Sequence, residues 1–186
     1  MRHLPNLITL VRLIAAPAAA WLLAQGRYRE ALALVILAGL TDWFDGWTAR
    51  KLKASGKAGV IFDPLADKIL LVVLFIQLAI IHLIPLWMFV LALVRDLVIV
   101  IGALLIRIFR NVRKFVPSTW GKVSTFFQIM LVLMVLLDAA YPHPVLHFLR
   151  LTALALSALF TTVSGIDYIR RGIIMARQPA LPRVSV

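Results

Sequence analysis

Long apolar runs, broken at intervals by short basic or turn-forming stretches, dominate the chain. Six runs reach the roughly 20 apolar residues that a helix needs to cross a hydrocarbon core of about 30 Å. They are Leu7 to Leu23, Arg29 to Thr48, Ile61 to His82, Pro85 to Ile106, Gly121 to Ala140 and Val145 to Ile169. The alternation of a membrane β-barrel is absent. The pattern predicts an all-α fold, an integral membrane bundle of six transmembrane helices. No repeat, low-complexity tract or long linker divides it, so residues 1–186 read as a single domain.

Composition agrees, with 62% hydrophobic residues. The net charge of +12 raises the question of nucleic acid, but the cations sit between apolar segments and form no aromatic-basic module. Phospholipid headgroups are therefore the expected anionic partners, and nucleic acid is not. With no cysteine, the chain offers no disulfide argument. The small residues Ala16 to Ala20 mimic a signal-cleavage site, yet Arg12 interrupts the run before them, which favours a retained first helix.

Lysine and arginine placement sets the expected orientation. With the N-terminus cytoplasmic, the inner side receives Arg2, then Arg50, Lys51, Lys53 and Lys57. It also receives Arg107, Arg110, Arg113, Lys114 and Lys122, and finally Arg170, Arg171, Arg177 and Arg183. Only Arg27, Arg29 and Arg150 fall outside. Both termini are thus expected in the cytoplasm.

Against this background, four of the chain's 8 acidic residues gather between Asp42 and Asp67. Residues three and four apart share a helix face. Asp42, Asp45, Gly46, Ala49 and Arg50 form one stripe, and Gly59, Asp63 and Asp67 another. Glycine and alanine beside charges let a ligand come close to backbone. Carboxylates converging from two helices repel unless cations lie between them, so the set suits hard divalent ions, Mg2+ or Mn2+. Buried ion pairing of these acids with Arg50, Lys68 and Arg95 is the plainer alternative. Asp42 would lie about 12 Å below the helix end near Arg50 at 1.5 Å per residue, giving a polar cavity sunk into the membrane and open to the cytoplasm. Asp63, preceding Pro64, could also serve as a helix N-cap.

The spacing D-x-x-D-G-x-x-A-R-x8-G-x-x-x-D-x-x-x-D resembles the signature of the CDP-alcohol phosphatidyltransferases at every fixed position. Pro5-Asn6-Leu-Ile-Thr9-Leu-Val-Arg12 is similar to the start of the phosphatidylglycerophosphate and cardiolipin synthase branch. The resemblance implies transfer of a phosphatidyl group from CDP-diacylglycerol to a glycerol-type alcohol with release of CMP. It implies two divalent cations on Asp42, Asp45, Asp63 and Asp67, and Asp67 as general base. Gly46, Ala49, Arg50 and Gly59, with Asn6, Thr9 and Arg12, would bind the CDP-lipid. It further implies a bacterial inner-membrane setting with the site facing the cytoplasm, and a homodimer by analogy.

Arg95 and Asp96 fall mid-segment, where each charge is costly. Being adjacent, they are expected to point apart, with Arg95 facing the acidic cavity or pairing with an acid on a neighbouring helix. Gly121, Thr125 and Gln128 share a stripe that suits interhelical hydrogen bonds or an acceptor-binding wall. Arg95, Arg113, Lys114 and Lys122 are the acceptor-binding candidates. Asp167 is expected to pair with Arg170 and Arg171, and His82, His143 and His147 to sit at the outer connections. Arg95-Asp96 and Ser124 are similar to the cardiolipin synthases, making phosphatidylglycerol the expected acceptor and glycerol 3-phosphate its close rival. A cation transporter would also place acids in a membrane, but the Gly/Pro-interrupted helix pairs of such proteins are missing.

Overall fold

The computed structural model describes residues 4–52, 59–110 and 118–177. Within them the chain is all-helical. The elements are α1 (Leu4–Ala24), α2 (Tyr28–Leu52), α3 (Gly59–Ile80), α4 (Leu86–Arg110), α5 (Thr119–Ala140) and α6 (Pro144–Arg177). Each expected apolar run lies on one helix. The largest difference is α6, which continues past Ile169 through Arg170 and Arg171 to Arg177. Charges end an apolar run but do not end a helix, because arginine is a good helix former.

Two helices, Thr119–Ala140 and Pro144–Ile174, are by length and apolarity candidates to cross a membrane among the described residues. Shorter apolar helical stretches among the described residues are Ile14–Ala24 and Lys68–Ile80. The chain divides into two compact units. One comprises residues 1–86 with 132–150, and the other residues 87–131 with 151–186.

In the first unit α1 packs on α3 and α2. Its buried stripe is Ala15, Ala16, Ala19 and Leu23, and α2 buries Ala31, Leu32 and Ala38. In lipid the hydrophobic effect does not draw helices together, so close approach through such small side chains supplies the attraction. Helix α1 runs unbroken through Pro17. Both α1 and α3 end in the same way. Arg27 N–H bonds Leu22 C=O at 3.0 Å and Gly26 N–H bonds Leu23 C=O at 3.1 Å. Leu83 N–H and His82 N–H do likewise to Leu78 and Ala79. These are Schellman closures. They need a left-handed residue, supplied by Gly26 (φ 72°) and, at some strain, by His82 (φ 58°).

In the second unit α4 turns Met88, Ala92 and Arg95 inward. Its opposite face exposes Trp87, Val90, Val94, Leu97 and Ile101. Along α6 the buried positions Ser157, Thr161, Ser164 and Tyr168 are mostly polar, and so are Ser124 and Gln128 on α5 and Ser118 just before it. Apolar outside and polar within is the arrangement of a protein bathed in lipid, since soluble proteins seldom expose so much contiguous apolar surface. Phe127 stacks on Phe160 at 4.6 Å between ring centroids, adding an aromatic contact between α5 and α6.

Candidate functional site

The acidic pattern occupies two helices of the first unit. Asp42, Asp45, Gly46, Ala49 and Arg50 lie on the last turns of α2, and Gly59, Asp63 and Asp67 on the first turns of α3. Both stripes therefore lie on regular helix, as their spacing requires. Helix α3 starts at Gly59 and passes through Pro64, so Asp63 is not its N-cap. Asn6, Thr9 and Arg12 lie on α1, which packs on both motif helices. Side-chain placement for these residues lies outside the described set, as do Arg113 and Lys114 altogether. The donor set itself, four aspartates at spacings of three and four, is oxygen-only and suits a hard divalent ion. Among the described side chains no group of three His, Asp or Glu residues could hold a metal, the histidines included.

A second polar assembly is built on α4, α5 and α6. The Arg95 side chain is 5% exposed. Its Nε and Nη2 donate to Ser164 Oγ at 3.1 and 3.0 Å, and Nη2 also donates to the Gly121 carbonyl at 2.9 Å. Nη1 donates to Asp96 Oδ1 at 2.6 Å. The expectation that adjacent residues could not pair is thus corrected: the long arginine side chain folds back along α4 to meet its neighbour's carboxylate. A charge-assisted bond at this depth removes most of the cost of burying either group. The guanidinium carbon lies 5.9 Å from the centre of the Tyr168 ring, a cation–π contact.

Gly121 lies between these groups because nothing larger fits. A Cβ there would meet Tyr168 Oη at 2.9 Å and Arg95 Nη2 at 3.2 Å. One turn earlier, Ser118 N–H donates to Tyr168 Oη at 3.1 Å, and Ser118 Oγ donates to Asp167. Asp167 Oδ2 also accepts from Arg171 Nε at 2.9 Å, which realises one of the two expected ion pairs. Further along, Ser124 Oγ and Gln128 Nε2 each meet Thr161 Oγ1 at 3.2 Å. Thr125 bonds only back to its own helix, at the Gly121 carbonyl, 3.1 Å away. Of the expected stripe, Gln128 is used for interhelical bonding, joined by Ser124 beside it, and both are fully buried. Lys122, in the turn between, is exposed.

Sequence reasoning found Arg95 and Asp167 but missed Ser118, Ser164 and Tyr168. A signal existed in the run Ser157, Thr161, Ser164 and Tyr168, polar residues at helical spacing inside an otherwise apolar segment.

Comparison with known proteins covers the same chain. Residues 2–163 match the family model described as CDP-alcohol phosphatidyltransferase. The chain is 36% identical over 177 residues to the CDP-diacylglycerol–glycerol-3-phosphate 3-phosphatidyltransferase of Aquifex aeolicus, covering 91% of this chain and 96% of that protein. It is 32% identical over 178 residues to a probable phosphatidylglycerophosphate synthase of Mycobacterium tuberculosis, covering 92% and 82%. With the human cardiolipin synthase (CMP-forming) it shares 34% identity over 105 residues, covering 56% and 35%.

Proposed function

The chain belongs to the CDP-alcohol phosphatidyltransferase family, and on that premise we propose that it transfers a phosphatidyl group from CDP-diacylglycerol to glycerol 3-phosphate, releasing CMP. Coverage carries the choice of acceptor. The Aquifex aeolicus and Mycobacterium tuberculosis relatives, named for glycerol 3-phosphate and phosphatidylglycerophosphate, align with more than nine-tenths of the chain, and a rice relative named for glycerol 3-phosphate with 75%, against about half for the human cardiolipin synthase. The two residues that favoured phosphatidylglycerol lose their weight on physical grounds. Ser124 is 0% exposed and bonded to Thr161, and Asp96 is paired with Arg95. Both are accounted for by helix packing, so neither reports an acceptor. Phosphatidylglycerol becomes the second reading.

In the proposed reaction the acceptor hydroxyl oxygen attacks the phosphorus that bears diacylglycerol. The bond from that phosphorus to the CMP oxygen breaks, and Asp67 takes the hydroxyl proton. Asp42, Asp45, Asp63 and Asp67 would hold two divalent cations. When bound, these ions would neutralise the diphosphate and stabilise the attacking and leaving oxygens. Gly46, Ala49 and Gly59 leave room for the nucleotide, and Arg50, with Asn6, Thr9 and Arg12, would bind its phosphates. Lys122, Arg113 and Lys114 offer point charges to the acceptor phosphate. We place the chain as six spans of a bacterial inner membrane, both termini and the site on the cytoplasmic side, on the lysine and arginine distribution.

The test offers purified protein CDP-diacylglycerol, Mg2+ or Mn2+, and either glycerol 3-phosphate or phosphatidylglycerol, and identifies the lipid by mass spectrometry. Phosphatidylglycerophosphate is the expected product. Cardiolipin alone would overturn the acceptor, and release of no CMP with either acceptor would overturn the reaction. Asp67→Asn is expected to lower CMP release by at least about a hundredfold while CDP-diacylglycerol still binds. Full activity in that variant would remove Asp67 as the base.

A further inference from the structure

We propose that Asp167 and Tyr168 are positioning residues for the acceptor site, gripping Ser118 and thereby fixing the helical turn that presents Lys122. This rests on the reading of Lys122 as a contact for the acceptor phosphate. The residues matched by the family model end at 163, before either residue, and the contacts to Ser118 come from the coordinates.

Ser118 is the residue before α5, and each of its polar groups has a partner. Its N–H donates to Tyr168 Oη at 3.1 Å and its hydroxyl to Asp167, while its carbonyl accepts from Lys122 N–H at 3.3 Å. The first bond of the helix thus joins the gripped residue directly to Lys122. From the other side of the same turn, Gly121 has its carbonyl bonded to Arg95 and no space for a Cβ against Tyr168. Lys122 thus follows a turn whose backbone is hydrogen-bonded at Ser118 and Gly121, and its side chain is exposed. A flexible ammonium on a fixed turn gives up less freedom on binding an anion than one on a loose turn. Arg171, bonded to Asp167, holds that carboxylate in place. The same α6 segment therefore sets where the cation stands without touching the acceptor itself.

The test is a double-mutant cycle on initial rates in detergent. Tyr168→Phe keeps the ring and removes only the hydroxyl that accepts from Ser118. Alone, Lys122→Ala and Tyr168→Phe are each expected to raise KM for glycerol 3-phosphate about tenfold or less, with kcat and the KM for CDP-diacylglycerol within about twofold of the parent. Combined, they should do no more than Lys122→Ala alone, because the hydroxyl acts through the lysine. Asp167→Asn should reproduce the Tyr168→Phe result, and supplies the same readout if Tyr168→Phe does not fold. Multiplication of the two single effects would overturn the inference, as would a fall in kcat with both KM values altered. If Lys122→Ala leaves KM unchanged, the acceptor reading of Lys122 fails first and the inference falls with it. If Lys122→Ala raises KM while neither α6 variant does, only the inference fails.

Discussion

Helices α5 and α6 carry a polar assembly at each end, and the two are built by different rules. At the Ser118 end, hydroxyls, a backbone carbonyl, an arginine and two aspartates interlock, with Ser118, Ser164 and Arg95 buried. At the Ala140 end, Asp138 pairs with Arg150 at 3.1 Å and with His147 at 3.3 Å, the latter with its side chain 57% exposed. There Arg29 lies 4.9 Å from the Tyr141 ring centre and donates to the Ala140 carbonyl at 3.3 Å, a cation at a helix C-terminus. The first assembly interlocks several buried groups, whereas the second rests on one buried carboxylate, Asp138, whose partners Arg150 and His147 are 26% and 57% exposed. Burial and interlocking, more than the number of charges, separate a part that fixes geometry from one that decorates an end.

That contrast can be broken experimentally. Arg95→Ala takes one donor from the Gly121 carbonyl and two from the Ser164 hydroxyl and removes the cation from Asp96. The expected loss is about 3 kcal/mol, read as a fall in thermal midpoint in detergent; a parent-like midpoint would show the assembly to be ornamental. Gly121→Ala forces Tyr168 or Arg95 aside and should cost about 1–3 kcal/mol by the same measurement. Asp138→Asn, which removes the charge of a buried carboxylate with part-exposed partners, should cost about 1–2 kcal/mol. A loss at Asp138 as large as that at Arg95 would erase the distinction between the two ends.

The helices were legible because each apolar run is long and bounded by charges or turn formers, and the motif acids because their spacing is fixed within a short stretch. The partners of Arg95 were not. Gly121 and Ser164 stand 26 and 69 residues away in the chain, and no local period connects them. The pairing with Asp96 was misjudged because helix geometry sets where Cβ atoms point and says little about where a four-bond side chain ends. Gly121 could be read as a small residue on a stripe, but its reason, a tyrosine hydroxyl approaching from another helix, belongs to tertiary structure alone. Helix α6 was drawn too short for the opposite reason, since hydropathy marks where lipid would end and not where hydrogen bonding does.

That extra length has a mechanical consequence. At 1.5 Å per residue the 34 residues of α6 make a rod of about 50 Å, against a hydrocarbon slab of about 30 Å. Should such a helix cross a bilayer, its surplus length would let it lean or slide as thickness changes, without unwinding either tip. The grip on Ser118 stands on the part of α6 nearer Arg177, where that surplus lies.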